Sequence, residues 1–163
     1  MKVIVVVGNP KAASRTCDAA TRLARALDPD SVEVIEISEL GSGLLGWGDA
    51  AVGNAVAMVQ NADVAIIASP TFKATYSGLL KLFLDQFAGG TGMANVVAIP
   101  LMLGAAPNHA LAAEHTLKPV LSEIGAIVPT PALYLIDSSY ADDGVLEVWV
   151  DRWGAVVRAL VVN

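Results

Sequence analysis

The chain has 163 residues, of which 55% are hydrophobic and 16% charged, and a formal net charge of −6. Such a balance supplies a buried core and excludes an intrinsically disordered chain. The acidic total disfavours nucleic acid and anionic membrane surfaces as partners, so any bound anion must be held by local groups against the overall field.

No apolar run approaches the roughly 18 residues of a membrane span. The VIVVV after Met1 and Lys2 is too short for a signal-peptide core, and Gly8, Asn9 and Pro10 follow at once. Cys17 is the single cysteine, which leaves no internal disulfide. The expectation is a cytoplasmic protein with one domain over residues 1–163. The apolar excess points to further surface buried in a homo-oligomer.

In chain order, VIVVV (3–7) is short, β-branched and continuous, as a strand buried on both faces reads. From Ser14 to about Leu27 apolar residues recur at helical spacing, with Ser14 as N-cap and Pro29 closing the segment. VEVIEI (32–37) alternates like a half-covered edge strand, and GSGLLGWG (41–48) reads as a loop. Asp49 to Asn61 is predicted helical. ADVAIIAS (62–69) is a second buried strand, cut by Pro70. Tyr76 to Phe87 is predicted as a helix, with apolar residues at 79, 80, 83, 84 and 87. NVVAIPLML (95–103) is a buried strand, and a helix is predicted from about Asn108 to Ile124. LYLI (133–136) is a short fifth strand. Asp143 and Gly144 turn the chain into a last helix from about Val145 to Val161.

Five strands alternating with helices predict a doubly wound parallel α/β sheet in three layers, α/β/α. The leading strand order is 2-1-3-4-5, the flavodoxin type, whose ligands sit beyond the carboxyl ends of the strands. Three loops leave those ends: 8–16, 69–77 and 103–109.

The first, GNPKAASRT, ends in Ser14, Arg15 and Thr16 at a helix start. There free N–H groups, the dipole, two hydroxyls and a guanidinium suit a phosphate. It is not a Walker A loop, since Ala13 and Ser14 stand where Gly and Lys are required. Plain N-capping by Ser14 is the competing reading. The second, SPTFKATYSG, opens on Pro70, which holds the chain extended for a planar ligand. Phe72 and Lys73 are odd choices for a simple connection, although a turn with a packed Phe would also explain them. Lys11, Arg15 and Lys73 place three of the ten cations in these two loops, which favours an anionic ligand. In the third loop Gly104 permits close backbone approach, while His109 either touches a ligand or begins the helix.

Other patterns lead away from function. GSGLLG (41–46) matches G-x-G-x-x-G literally but follows the edge strand. Cys17 reads as a small buried side chain rather than an activated thiol. G-x-S-x-G does not occur, and His109 and His115 are six apart, off a common helical face, so no metal site is predicted.

The stretches GNPKAASRT, SPTFKATYSGLLKLFLD and LGAAPNHALAAEHTLKPVLSEIGA, in that order, resemble the NADPH-dependent FMN reductases. The likeness is greatest to the flavin-reductase components of two-component alkanesulfonate monooxygenases, and it spans about residues 2 to 137. It implies that Ser14, Arg15 and Thr16, with Asn9 and Lys11, bind the FMN phosphate. Pro70, Thr71, Phe72, Lys73 and Ala74 would lie along the isoalloxazine, and Gly104, Ala105 and His109 would meet its other side. Ala105 and Ala106 replace the family's usual glycine and small hydroxyl. Tyr76 and His115 fall in regions tied to flavin exchange and subunit packing. Relatives carry tyrosine or histidine at 115, and the tyrosine-bearing ones have a π-bulge there. Pro119 has no N–H for the carbonyl of residue 115, so the helix is predicted to widen or kink locally.

The resemblance implies an NAD(P)H:FMN oxidoreductase, and the charge of Lys11, Arg15 and Lys73, which would attract a 2′-phosphate, favours NADPH over NADH. Its reduced flavin would go to a partner monooxygenase or another acceptor, and the protein would be a homodimer or homotetramer. The alternatives are an FMN-retaining reductase of quinones, azo dyes or metal oxyanions, and a flavodoxin-type electron carrier. No side chain is required as acid or base, because the flavin carries the hydride chemistry.

Overall fold

The structure, a computed structural model, describes residues 1–161. Five parallel strands form one sheet: β1 (Lys2–Val7), β2 (Ser31–Glu36), β3 (Val64–Pro70), β4 (Val97–Gly104) and β5 (Leu133–Ile136), in the order β2-β1-β3-β4-β5. This is the flavodoxin-like topology expected from the strand count. Val5 lies opposite Val34 on one side and Ile66 on the other.

The period of two along each buried strand divides the core into two layers. Val3, Val5 and Val7 of β1 pack with Leu23, Leu146 and Trp149 on one face. Ile4 and Val6 pack with Leu80, Phe83, Leu117 and Leu121 on the other. The first layer belongs to α1 (Arg15–Ala26) and α5 (Val145–Leu160). The second belongs to α2 (Ala50–Gln60), α3 (Gly78–Leu84) and α4 (Lys118–Glu123). The edge strand β2 is half-covered, as expected, but its burial does not follow its alternation: Ile35 is buried while Val34 is exposed.

Two prolines lie inside strands. Pro70 was expected to cut β3 but is its last paired residue, opposite Leu103 of β4. Ala68 offers its carbonyl to Gly8 on the β1 side and Thr71 donates to Leu103 on the β4 side. Alternation therefore turns the Pro70 nitrogen toward β1, whose pairing has already ended at Val7. Pro100 obeys the same rule, since it faces the β5 side before β5 begins opposite Leu101. A missing N–H costs no ladder bond at either place.

Helix starts follow their caps. Asp49 Oδ1 accepts from Ala51 and Val52 at 2.9 and 3.0 Å. Ser77 Oγ accepts from Leu80 at 3.0 Å, so α3 begins at Gly78 rather than at the predicted Tyr76. It ends at Leu84, and two further tight turns carry the chain to the buried Phe87. The predicted loop at 41–48 is in part helical: a 3-10 segment, Ile37–Leu45, is broken at Gly41 (φ +57°) and buries Ile37 and Leu44.

The largest departure lies between β4 and α4. One helix was predicted from Asn108 to Ile124. The chain instead makes a 3-10 turn (Pro107–His109), a π-helical turn (Ala113–Leu117) and the six-residue α4. Lys118 donates its backbone N–H to Ala113 O, five residues back, and the Thr116 hydroxyl donates to Ala112 O at 2.6 Å. Pro119 gives the carbonyl of His115 no N–H to accept, so the α ladder has no register to return to at that point. Glu114 fastens the widened turn to the sheet. Its Oε1 accepts from Lys118 Nζ at 2.6 Å and its Oε2 accepts from Ala132 N at 2.7 Å. Partial burial works against the Glu114 charge, yet these donors and His115 hold its carboxyl below the ordinary value.

Candidate functional site

The carboxyl ends of β1, β3, β4 and β5 enclose a pocket of about 480 Å³, within the roughly 300–1,000 Å³ of small-molecule sites. Its wall draws on four connections, those after β1, β3, β4 and β5.

The β1–α1 loop is tied at several points. Asn9 clips its two ends: Oδ1 accepts from Lys11 N at 2.9 Å and Nδ2 donates to Thr16 Oγ1 at 3.1 Å. Ala13 sits in the left-handed region (φ +51°) and donates its N–H to Glu36 Oε1 at 2.9 Å. Ser14 is the N-cap, with Oγ accepting from Cys17 N at 3.3 Å. Capping was one of two readings of Ser14, and the same residue also lines the pocket. The first-turn amides of Arg15 and Thr16 cannot reach a carbonyl within the helix, so they remain available to a ligand. Arg15 Nη1 contacts Asp137 Oδ2 at 3.1 Å.

The β3–α3 connection is a tight hairpin. Phe72 N donates to Thr75 O at 2.8 Å and Thr75 N to Phe72 O at 3.2 Å. Lys73 and Ala74 between them both have positive φ, +51° and +66°. This is a type I′ arrangement built without glycine, a strain of the kind that gathers at functional sites. Phe72 is half exposed (49%) against the pocket, and Thr71 Oγ1 is buried with no hydrogen-bond partner. The oxygen has no accessible surface of its own, so a ligand in the cavity meets it only after the side chain turns.

The first two loops meet at Ser77. Its hydroxyl donates to Gly8 O, and its N–H donates to Ser69 Oγ at 2.9 Å. Gly8 is required here because a Cβ would stand 2.5 Å from Leu80 Cβ. At Gly104 a Cβ would fall 1.8 Å from the Tyr134 hydroxyl, which itself donates to Ala106 O at 2.8 Å. Close approach does explain Gly104, but the neighbour in the fold is a phenol on β5.

Ten of the thirteen predicted contact residues line this pocket: Asn9, Lys11, Ser14, Arg15, Thr16, Pro70, Thr71, Phe72, Gly104 and Ala105. Lys73, Ala74 and His109 do not. The first two are exposed at the hairpin tip, and His109 ends the 3-10 turn. The cations on the wall are thus Lys11 and Arg15. Tyr76 is half-buried against the α2–α4 core layer, where burial pushes its phenol up, and His115 is exposed on the π-helical turn. Ala13, Leu103 and Asp137 complete the wall without having been foreseen. Asp137 follows β5, so the rule that pointed to the other strand ends covers it too. The Cys17 thiol is pushed up to about 11, first by burial and then by the Glu36 carboxylate, which agrees with its reading as a packing residue. GSGLLG contributes nothing to the wall.

The model of the NADPH-dependent FMN reductase family matches residues 1–141. The chain belongs to this family. An FMN reductase (NADPH) of Escherichia coli (strain K12) is 32% identical over 147 residues, covering 87% of this chain and 76% of that protein. The NADH-dependent FMN reductase SfnF of Pseudomonas putida is 28% identical over 131 residues, covering 75% of this chain and 70% of that protein. Among solved structures, the apo form of the NADH:FMN oxidoreductase EMOB superposes with a TM-score of 0.82 at 27% identity, covering 98% of this chain and 88% of that chain. Family members named for NADPH and for NADH thus both resemble it. No helix among the described residues is long and apolar enough to cross a membrane.

Proposed function

We propose that the chain is an NAD(P)H:FMN oxidoreductase that works as a single flavodoxin-like FMN-binding domain. The observation that carries this reading is one pocket joining two unlike ends. At one end are the open first turn of α1, two hydroxyls, Lys11 and Arg15; at the other are the Pro70–Phe72 edge and the orphaned Thr71 hydroxyl. The first end suits a phosphate monoester and the second a flat heteroaromatic ring. FMN has both. Bound there, the flavin supplies the hydride acceptor.

The chain's own residues bind and orient. The Arg15 and Thr16 amides, the Ser14 and Thr16 hydroxyls and the two cations hold the phosphate. Asn9 and Glu36 hold the loop that presents them. Thr71, once its side chain turns toward the cavity, donates to or accepts from the ring system, while Pro70, Phe72 and Leu103 exclude water beside it. No general acid or base is needed, and no catalytic dyad is proposed.

Reduced FMN passes to a monooxygenase or another acceptor. NADPH is the favoured donor on the charge of Lys73, a cation of the hairpin tip that stands outside the pocket wall and is not taken up by the FMN phosphate. The protein is a cytoplasmic homo-oligomer, a reading supported by its single cysteine and its exposed Leu45, Trp47 and Leu111. Following NADPH absorbance with and without added FMN tests the activity. Oxidation that requires FMN and scales with it is expected. Turnover only with a quinone or dye by a yellow protein would favour the flavin-retaining alternative. FMN binding without NADPH consumption would favour the carrier. Arg15→Ala is expected to weaken FMN binding by about 1–3 kcal/mol, and an unchanged fluorescence titration would remove Arg15 from the phosphate end.

A further inference from the structure

The pocket wall carries three charged side chains: Lys11, Arg15 and Asp137. Asp137 is the single carboxylate among them. It is firmly placed, because it stands one residue past β5 and its backbone N–H donates to Gly104 O at 2.9 Å. From there Oδ2 takes the guanidinium of Arg15, 122 residues away in the sequence. The neighbouring acids are engaged elsewhere. Glu36 Oε1 accepts the Ala13 N–H, and Asp18 is held by Arg22 and Tyr140. Neither is part of the wall.

The Arg15–Asp137 pair is a surface pair, with side chains 66% and 39% exposed. Such pairs are weak and exchange readily. An anion arriving at the start of α1 therefore meets a guanidinium already shared with a carboxylate, and then lies close to that negative charge itself. A phosphate monoester near neutral pH carries close to two negative charges, whereas the same flavin without its phosphate carries none. Asp137 thus acts on one ligand and is silent toward the other.

On this basis, and resting on the flavin reading of the pocket, we propose that Asp137 is a specificity-determining residue: it lowers the preference of the site for FMN over riboflavin by opposing the phosphate and sharing Arg15. The consequence is a phosphate end that holds FMN loosely enough to release it.

The test is a pair of fluorescence titrations, with FMN and with riboflavin, on the wild-type protein and on Asp137→Asn. Asparagine keeps the size and one acceptor oxygen for Arg15 and removes the charge, but it puts an N–H donor where the second oxygen stood; Asp137→Ala, which adds no donor, must therefore tighten FMN binding as well. The substitution is expected to lower the Kd for FMN about three- to fivefold, the scale of one exposed charge pair, and to leave that for riboflavin unchanged. The gain should shrink when the ionic strength is raised, since exposed charges are screened. Weaker FMN binding in Asp137→Asn would show that the carboxylate positions Arg15 for the phosphate, and would overturn the proposal. An unchanged FMN-to-riboflavin ratio would overturn it as well, while leaving the flavin site standing. Wild-type protein that binds neither flavin would remove the flavin reading and the role of Asp137 together.

Discussion

The two loops that face each other across the pocket are built on opposite principles. The β1–α1 loop is fixed at several points: by Asn9 across its own ends, by Glu36 of the edge strand and by the Ser14 cap. The 71–75 hairpin is held by one bond into β4 and by its own two reciprocal bonds, and it leaves an aromatic ring half exposed and a hydroxyl without a hydrogen-bond partner. One loop is finished before a ligand arrives; the other keeps its contacts open. For a ligand with a charged end and a flat end, this division is sensible. A phosphate needs preset donors, because reorganising them would erode the interaction. A ring gains from an adaptable apolar edge.

The contrast can be broken at the residue where the two loops meet. Ser77→Ala removes the α3 cap, the donor to Gly8 O and the link between the loops. The expected loss is about 2–3 kcal/mol, read from urea denaturation, and a loss under half a kcal/mol would mean that the loops are independent. Loosening only the fixed loop is a smaller change. Glu36→Ala frees Ala13 from its anchor, and a loss of about 1 kcal/mol is expected, together with weaker FMN binding in the same fluorescence titration. Stability and binding that both stay at wild-type values would show that the left-handed Ala13 needs no holding. The smallest effect should come from the hairpin tip. Ala74→Gly relieves a left-handed alanine and is expected to stabilise the protein by about 0.5–1 kcal/mol. A small rise in melting temperature checks it, and a fall would mean that the turn is not under strain.

Much of this was legible in the sequence because it follows from local chemistry. VIVVV and ADVAIIAS are β-branched and unbroken, as strands buried on both faces must be. Ser14 announces a helix start by cap chemistry alone. That the 8–16 loop would line the pocket could be read because its serine, arginine and threonine stand together at a strand end. The π-helical turn was half legible. Pro119 gave the reason for widening, but not the bond by which Glu114 ties the turn to Ala132 just before β5. Pro70 misled, because proline breaks a strand only where a neighbour needs its N–H, and β1 ends before that row.

The sequence by itself thus determined the layer architecture and the composition of the two facing loops, since periodicity and capping act over a few residues. It could not determine what lies opposite what. Asp137 reaches Arg15, Glu36 reaches Ala13 and Tyr134 fills the space a side chain at Gly104 would take, all through strand order and register. Those contacts join residues 23 to 122 positions apart. The charge balance at the start of α1 was therefore a decision of the tertiary structure: only the folded sheet brings the end of β5 beside it.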